Sequence, residues 1–507
     1  MAADPPAALR VRVAAGVLVR DDGRLLVGGV PLRLVRLSPR GGELARAWRS
    51  GAPVGGAGGL ARRLLDAGIL DACPDPADAA TSSDVAVVIP VRDRADRLAR
   101  CLAALRASVP AIPVTVVDDG SADGGGAVAA VAAAHGAAIV RHAVSRGPAA
   151  ARNTGLGATR TPLVAFVDSD VVVDADDRWL RVLAAHFRDP RIGAVAPRVR
   201  ALDETSSGLL AGYERRHASL DMGAVGGLVA PGRPLSYVPA TTLIVRRAAM
   251  PAGGFAEALH LGEDVDLCWR MDDAGVLVRY EPAVSVRHDH RVTPVAFATR
   301  RLAYAGSIGP LAQRHPRALP ALRADPAMAA AVGLLAARRP VGAATAAAVA
   351  LARVTRWVAG ASDRPVPLAA ELTGRGLLGT AHGFGHALRR VWSPLLLVPG
   401  PHRRAGWPLL AAAYALRLTR PGAPRRPADV AMTVVDDLLA TAGTWHGALR
   451  ARTATPLLPA IARPSIRRRP ARRERPSREV RRPSRTAAWR RPSPTWPWAS
   501  RRRRPGG

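Results

Sequence analysis

Two apolar runs that each end in paired carboxylates constrain this chain more than any other feature. Val114–Val117 leads into Asp118, Asp119, Gly120 and Ser121, and Leu163–Val167 leads into Asp168, Ser169 and Asp170. Short uninterrupted apolar runs are expected where a strand is buried on both faces, as in a parallel sheet covered by helices. In such sheets ligands bind beyond the carboxyl ends of the strands, so carboxylates placed there converge on one crevice. That crevice is the expected active site.

The flanking pattern agrees with this fold. VAVVIP, closed by Pro90, reads as a strand, and the helix after it carries Leu98, Leu102 and Leu105 on one stripe. An Ala-rich helix, the strand AAIV and the segment SRGPAAARNTGL, a glycine turn opening a helix, separate the two acidic runs. Strands alternating with helices predict a doubly wound α/β fold with right-handed crossovers. Residues 1–80 alternate short strand patterns with two helical ones, the first after Ser38, and turn at Asp21-Asp22-Gly23, which reads as a small winged-helix-like module. A linker rich in Pro, Asp, Ala and Ser runs from Cys73 to Asp84. The expected division is the module at 1–80, an α/β domain at 84–295, a helical region at 296–455 broken at Pro326, Pro340, Pro394 and Pro408, and a tail at 462–507.

The net charge of +33 is unevenly distributed: 17 Arg stand against 2 Glu from Arg463 to Gly507, and the rest of the chain is still basic. Alternating Arg, Pro and Ser cannot build a core, so disorder is expected in the tail. The balance favours polyanionic partners: an anionic membrane surface, phosphorylated substrates or, least expected, nucleic acid. Cys73, Cys101 and Cys268 are widely spaced with no CxxC, which argues against a disulfide framework or a zinc site and fits a reducing cytoplasm. The start of the chain lacks a signal-peptide pattern, and no run reaches the roughly 18 apolar residues of a membrane span. A cytoplasmic protein is expected, with the helical region either capping the site or lying peripherally on the inner membrane face.

Five motifs stand in order, VIPVRDR, VVDDGS, SRGPAAARNTG, FVDSD and LGEDVDLCWR, within a stretch from about Val85 to His290. Together they resemble the family 2 glycosyltransferases, whose GT-A fold binds a nucleotide-diphospho-sugar. The resemblance implies that Asp118, Asp119, Pro90 and Arg92 meet the nucleotide base, that Arg152 lies near the diphosphate and Asp168 beside the ribose, and that Asp170 ligates Mn2+ or Mg2+, joined by His288. It also implies that Asp264, next to Glu263, is the base. The chemistry needs such groups: a departing diphosphate requires its charge stabilised, and an attacking hydroxyl must lose its proton. The same residues have plainer readings. Asp118 or Asp119 would cap the turn at Gly120, Asp168 and Asp170 would be turn residues, and Glu263 and Asp264 would suit a helix N-terminus.

The N-terminal module resembles peptide-recognition modules in which a leader peptide adds a strand to a three-stranded edge; the plainer reading is a structural appendage of the next domain. With LVGGVPLRLVRLSPRG and RRLAYAGSIGPLAQRHP, the whole resembles the mycofactocin-pathway branch of the family. That likeness implies glucose transfer from UDP-glucose to a small peptide-derived precursor and its growing β-glucan chain. Two alternatives stay open: a family 2 enzyme acting on a lipid or cell-envelope polysaccharide acceptor, and a basic non-catalytic binding protein on a GT-A scaffold. A polysaccharide-extruding synthase is not expected, because the QxxRW motif and clear membrane spans are missing.

Overall fold

The computed structural model describes residues 4–79, 82–202, 208–289, 293–398, 400, 402–420 and 422–461. The Arg-rich tail lies outside them.

The N-terminal module has two small antiparallel sheets and two helices. Strands β1 (Arg10–Val13), β5 (Ala52–Pro53) and β6 (Leu70–Ala72) pair in the order β5-β1-β6, and β2 (Leu18–Arg20), β3 (Leu25–Gly28) and β4 (Arg33–Arg36) pair in the order β2-β3-β4. The turn between β2 and β3 passes through Asp21 and Asp22 at positive φ before Gly23. Ser38 starts the helix Pro39–Arg49 by accepting from the Gly41 amide at 3.2 Å, as a hydroxyl N-cap does. Trp48, Leu64, Leu65 and Ile69 fill the core between sheet and helices. The module is anchored on two sides. Arg62 pairs with Asp189 at 2.8 Å and Arg279 with Asp71 at 3.1 Å on the α/β domain, while Leu18, Leu25 and Val27 pack against Val358, Leu368 and Ala369 of the C-terminal helices.

The α/β domain is built on a nine-stranded sheet. Its strands are β7 (Val85–Val91), β8 (Val114–Asp118), β9 (Ala138–Arg141), β10 (Leu163–Val167), β11 (Val171–Val172), β12 (Ile192–Ala201), β13 (Gly227–Val229), β14 (Thr242–Arg246) and β15 (Leu277–His288). The order is β11-β15-β12-β14-β10-β7-β8-β9, with β13 paired to β15. The run β10-β7-β8-β9 is parallel throughout, whereas β14 is antiparallel to both β10 and β12. Successive residues of β7 point to opposite faces, and both faces are buried. Val87 and Ile89 join Leu98, Leu102 and Trp179 on one side; Val88 joins Phe166, Leu243, Leu267 and Trp269 on the other. This double burial is why the strands read as unbroken apolar runs.

Beyond β15 the chain is mainly helical: Pro294–Gly306, Ile308–Arg314, Pro326–Ala336, Pro340–Val358, Pro365–Ala387, His402–Leu418 and Pro427–Arg450, with two short strands, β16 (Leu322–Ala324) and β17 (Pro459–Ile461), paired in parallel. Pro326 and Pro340, expected as breaks, open helices, since proline's fixed φ and missing N–H suit the first turn. Pro408 departs from expectation: it lies inside His402–Leu418, which continues through it at the loss of one backbone hydrogen bond. Among the described residues no helix is long and apolar enough to cross a membrane.

Candidate active site

The carboxyl ends of β7, β8 and β10, the start of the helix Glu263–Asp273 and the C-terminal helices enclose one cavity of about 2570 Å³. Of the residues singled out from the sequence, Pro90, Arg92, Asp119, Arg152, Asp168, Asp170, Glu263, Asp264 and His288 line it. Asp118 does not: its buried carboxylate turns back to accept from the Ser121 amide at 3.0 Å and lies 3.2 Å from Arg141. The two halves of the Asp118–Asp119 pair therefore do different work.

Asp119 organises the loop that follows β9. Its oxygens accept from the Arg146 and Gly147 amides, each at 2.8 Å, and from Ser145 Oγ at 2.7 Å, and contact His142 Nδ1 at 2.7 Å. Burial alone would raise its pKa, but these hydrogen bonds, led by the Arg146 amide, hold it below the ordinary carboxylate value. The loop carries the chain into the helix Pro148–Ala158, through Gly147 at φ 93°, a conformation that glycine tolerates.

That helix presents Arg152. Its guanidinium is almost fully buried, donates from Nη1 to Glu263 and from Nη2 to Asp168, both at 2.7 Å, and lies 5.4 Å from the Phe255 ring centroid. Burial opposes its charge, yet the two carboxylates raise its pKa above the usual value. Arg152 thus fastens the end of β10 to the start of the Glu263–Asp273 helix. Asp168 is further held by its amide, which donates to the Thr241 carbonyl at 2.9 Å.

Asp170 sits among cations. Arg94 Nη1 donates to its Oδ2 at 2.9 Å, Arg97 lies 3.5 Å away, and His288 Nε2 lies 3.2 Å from Oδ1. The register of β11 against β15, Val171 opposite His288, brings the imidazole there. Burial pushes the carboxyl up, but the hydrogen bond and charge of His288 and the charges of Arg94 and Arg97 outweigh it and hold the pKa at about 2. Arg94 and Arg97 were not singled out from the sequence; their i,i+3 spacing at a helix start was the available signal.

Asp264 behaves in the opposite way. Half-buried in the cavity wall, it accepts from the Val265 amide at 2.8 Å and more weakly from that of Ala240 at 3.4 Å. Burial, then the neighbouring charge of Glu263, pushes its pKa up to about 7. Tyr237 and Tyr304 line the same cavity, and burial drives the Tyr237 phenol up to about 12, whereas Tyr304 is exposed. A carboxyl poised near neutrality opposite strongly ionised ones is the arrangement that general acid–base chemistry uses.

The donor set has also to fit a divalent ion. No group of three or more His, Cys, Asp or Glu side chains stands ready to hold a metal among the described residues. Asp170 and His288 supply one carboxylate and one imidazole in contact on the cavity wall. Such a pair suits Mg2+ or Mn2+, ions that keep several waters and complete their shell with substrate phosphates.

Residues 86–225 match the profile of Glycosyl transferase family 2, and residues 163–419 that of Glycosyl transferase family group 2. The chain is 37% identical over 473 residues to the pre-mycofactocin glycosyltransferase of Mycobacterium tuberculosis, covering 90% of this chain and 98% of that one. It is 32% identical over 211 residues to the succinoglycan biosynthesis protein ExoU of Rhizobium meliloti, covering 37% and 57% respectively. Among solved structures, the mannosyltransferase PcManGT from Pyrobaculum calidifontis, in complex with GDP-Man and Mn2+, aligns over 68% of this chain and 89% of its own with a TM-score of 0.37 at 20% identity.

Proposed function

Because the chain belongs to glycosyl transferase family 2, we propose that it moves glucose from UDP-glucose, with inversion, to a hydroxyl of a small peptide-derived acceptor and then to the glucan growing on it. The observation that carries this reading is Asp264, with its pKa near 7, on the wall of the cavity that also holds Asp168, Asp170 and Arg152. The relative named for pre-mycofactocin glycosylation matches along nine-tenths of the chain, which supports the choice of acceptor.

In this mechanism Asp119 shapes the loop that receives the nucleotide, with Pro90 and Arg92 alongside it. Arg152 faces the diphosphate while keeping Asp168 and Glu263 in register. Asp170 and His288 would hold Mn2+ or Mg2+, which when bound supplies positive charge to the departing diphosphate. Asp264, deprotonated, takes the proton from the acceptor hydroxyl as its oxygen attacks the anomeric carbon from the face opposite the leaving group. The C-terminal helices share the cavity with Asp264, which supports reading them as the acceptor side.

A panel of nucleotide sugars with Mn2+ or Mg2+ tests this, with UDP release as the readout and Asp170→Ala and Asp264→Ala as controls. Metal-dependent release from UDP-glucose, lost in both variants, is expected. Release from another donor only would refute the glucose assignment. No release from any donor by folded protein, with candidate acceptors supplied, would refute the transferase reading.

A further inference from the structure

The cavity wall made by the C-terminal helices carries cations that the transfer described above does not use. Leu388–Trp392 forms a π-helical turn, a rare geometry that recurs at functional sites, and it presents Arg389 and Arg390. Arg389 is buried, ion-paired with Asp437, and lies 5.1 Å from the Tyr414 ring centroid. Arg390 lies 3.4 Å from Asp437 and 3.8 Å from Asp436. From the helix His402–Leu418, packed on this turn, Arg417 enters the same wall, with Arg420 just beyond it.

An inventory of the carboxylates shows where the surplus charge falls. Glu214 is taken by Arg300 and Arg301, Asp429 by Arg216, Asp436 by Arg301, and Asp437 by Arg389. Among the described residues the side chain of neither Arg417 nor Arg420 makes a hydrogen bond or an ion pair; Arg420 takes part in backbone hydrogen bonds only. Arg417 is half-buried, and burial followed by the charges of Arg389 and Arg420 lowers its pKa against the weaker opposing pull of Asp437. His386, exposed on the same wall, lies among these guanidinium groups. Like charges crowded in a partly dehydrated wall cost stability unless an anion joins them. The cavity has room for one: about 2570 Å³ against the roughly 300–1,000 Å³ of a typical small-molecule site.

We propose that Arg417 and Arg420 form an anion subsite that binds a carboxylate or phosphate group carried by the acceptor. The proposal rests on the reading of this cavity as a transferase site. Guanidinium groups offer paired N–H donors that match either oxyanion in a forked geometry, so the subsite would fix the acceptor's orientation before its hydroxyl meets Asp264.

Calorimetric titration of the full chain, saturated with UDP, tests the subsite with inorganic phosphate and succinate as separate probes. At least one probe is expected to bind saturably, and the probe that does so identifies the chemical source. The double variant Arg417→Gln/Arg420→Gln should weaken that binding at least about tenfold, the loss expected for a charge-assisted hydrogen bond. Arg417→Lys/Arg420→Lys should restore most of it. Melting curves establish that the variants fold, and the exposed Arg420→Gln alone serves if the double variant does not. Absence of saturable binding by either probe, binding unchanged in the glutamine variants, or binding abolished by UDP would overturn the proposal. Failure of the transferase reading is seen separately, as absence of UDP release by the wild-type chain.

Discussion

Arg152 reaches Glu263 at 2.7 Å, joining residues 111 positions apart in the chain. Its second amino group is equally close to Asp168, so one side chain couples the donor-side strand to the helix that bears the proposed base. Removing it would leave two carboxylates without their counter-ion. Breaking a buried pair costs about 3–5 kcal/mol. Arg152→Ala is therefore expected to lower the denaturant midpoint and also kcat/KM, while Arg152→Lys, which cannot reach both carboxylates in a fork, recovers only part of either. Parallel unfolding and turnover measurements decide this; unchanged stability would show that the bridge contributes nothing.

The pH dependence follows from Asp264. Burial and the Glu263 charge raise its pKa to about 7, and a base must be deprotonated to act. The rate should therefore fall as pH drops through that value. Glu263→Gln removes the adjacent negative charge, lowers the Asp264 pKa and moves the acid limb of the profile to lower pH. Asp264→Asn should cost about 10²–10⁴-fold in turnover, the usual contribution of a positioned base. A kcat/KM profile whose acid limb does not move in Glu263→Gln would remove the coupling.

Metal removal gives a third test. Chelation should stop UDP release, and Mn2+ or Mg2+ should restore it, because the proposed binding pair is only Asp170 and His288 with substrate oxygens completing the shell. Asp170→Asn should raise the metal concentration needed for half-maximal release, and His288→Ala should do so more mildly. Full activity in the presence of chelator would exclude this role.

The helical region is tested through its glycines. A Cβ on Gly443 would stand 2.5 Å from the Leu302 carbonyl oxygen and 2.7 Å from Ala305 Cβ, and one on Gly447 would overlap the Gly306 backbone. Helices Pro294–Gly306 and Pro427–Arg450 can approach this closely only without side chains at those positions. Gly443→Ala should cost about 1–3 kcal/mol through overpacking, read as a lower melting temperature. Gly333→Ala, in open space on another helix, should not destabilise.

Much of the site was legible in the chain itself. Parallel strands covered on both faces are largely apolar, Thr115 notwithstanding, so β7, β8 and β10 stand out as runs, and whatever proline or charged residue ends such a run lies at the sheet's carboxyl edge. That places Pro90, Asp119, Asp168 and Asp170 at one crevice before any coordinates are seen. Ser38 and the prolines mark helix starts for equally local reasons. The direction of β14 was not legible, because TLIVR is as apolar running antiparallel as it would be running parallel.

Side-chain pairing between distant segments needed the tertiary structure. Asp118 and Asp119 are chemically identical neighbours, yet strand alternation sends one back to Ser121 and Arg141 and the other into the cavity. Arg152 finds Glu263, and Arg417 is left among guanidinium groups without an ion pair among the described residues, only because the fold brings together elements tens to hundreds of residues apart. Local sequence thus determined which groups lie at strand and helix ends, since backbone periodicity and capping act over a few residues. Which of those groups share charge, burial and a cavity was decided by long-range packing, because Coulomb and desolvation energies depend on distances that no short stretch of sequence encodes.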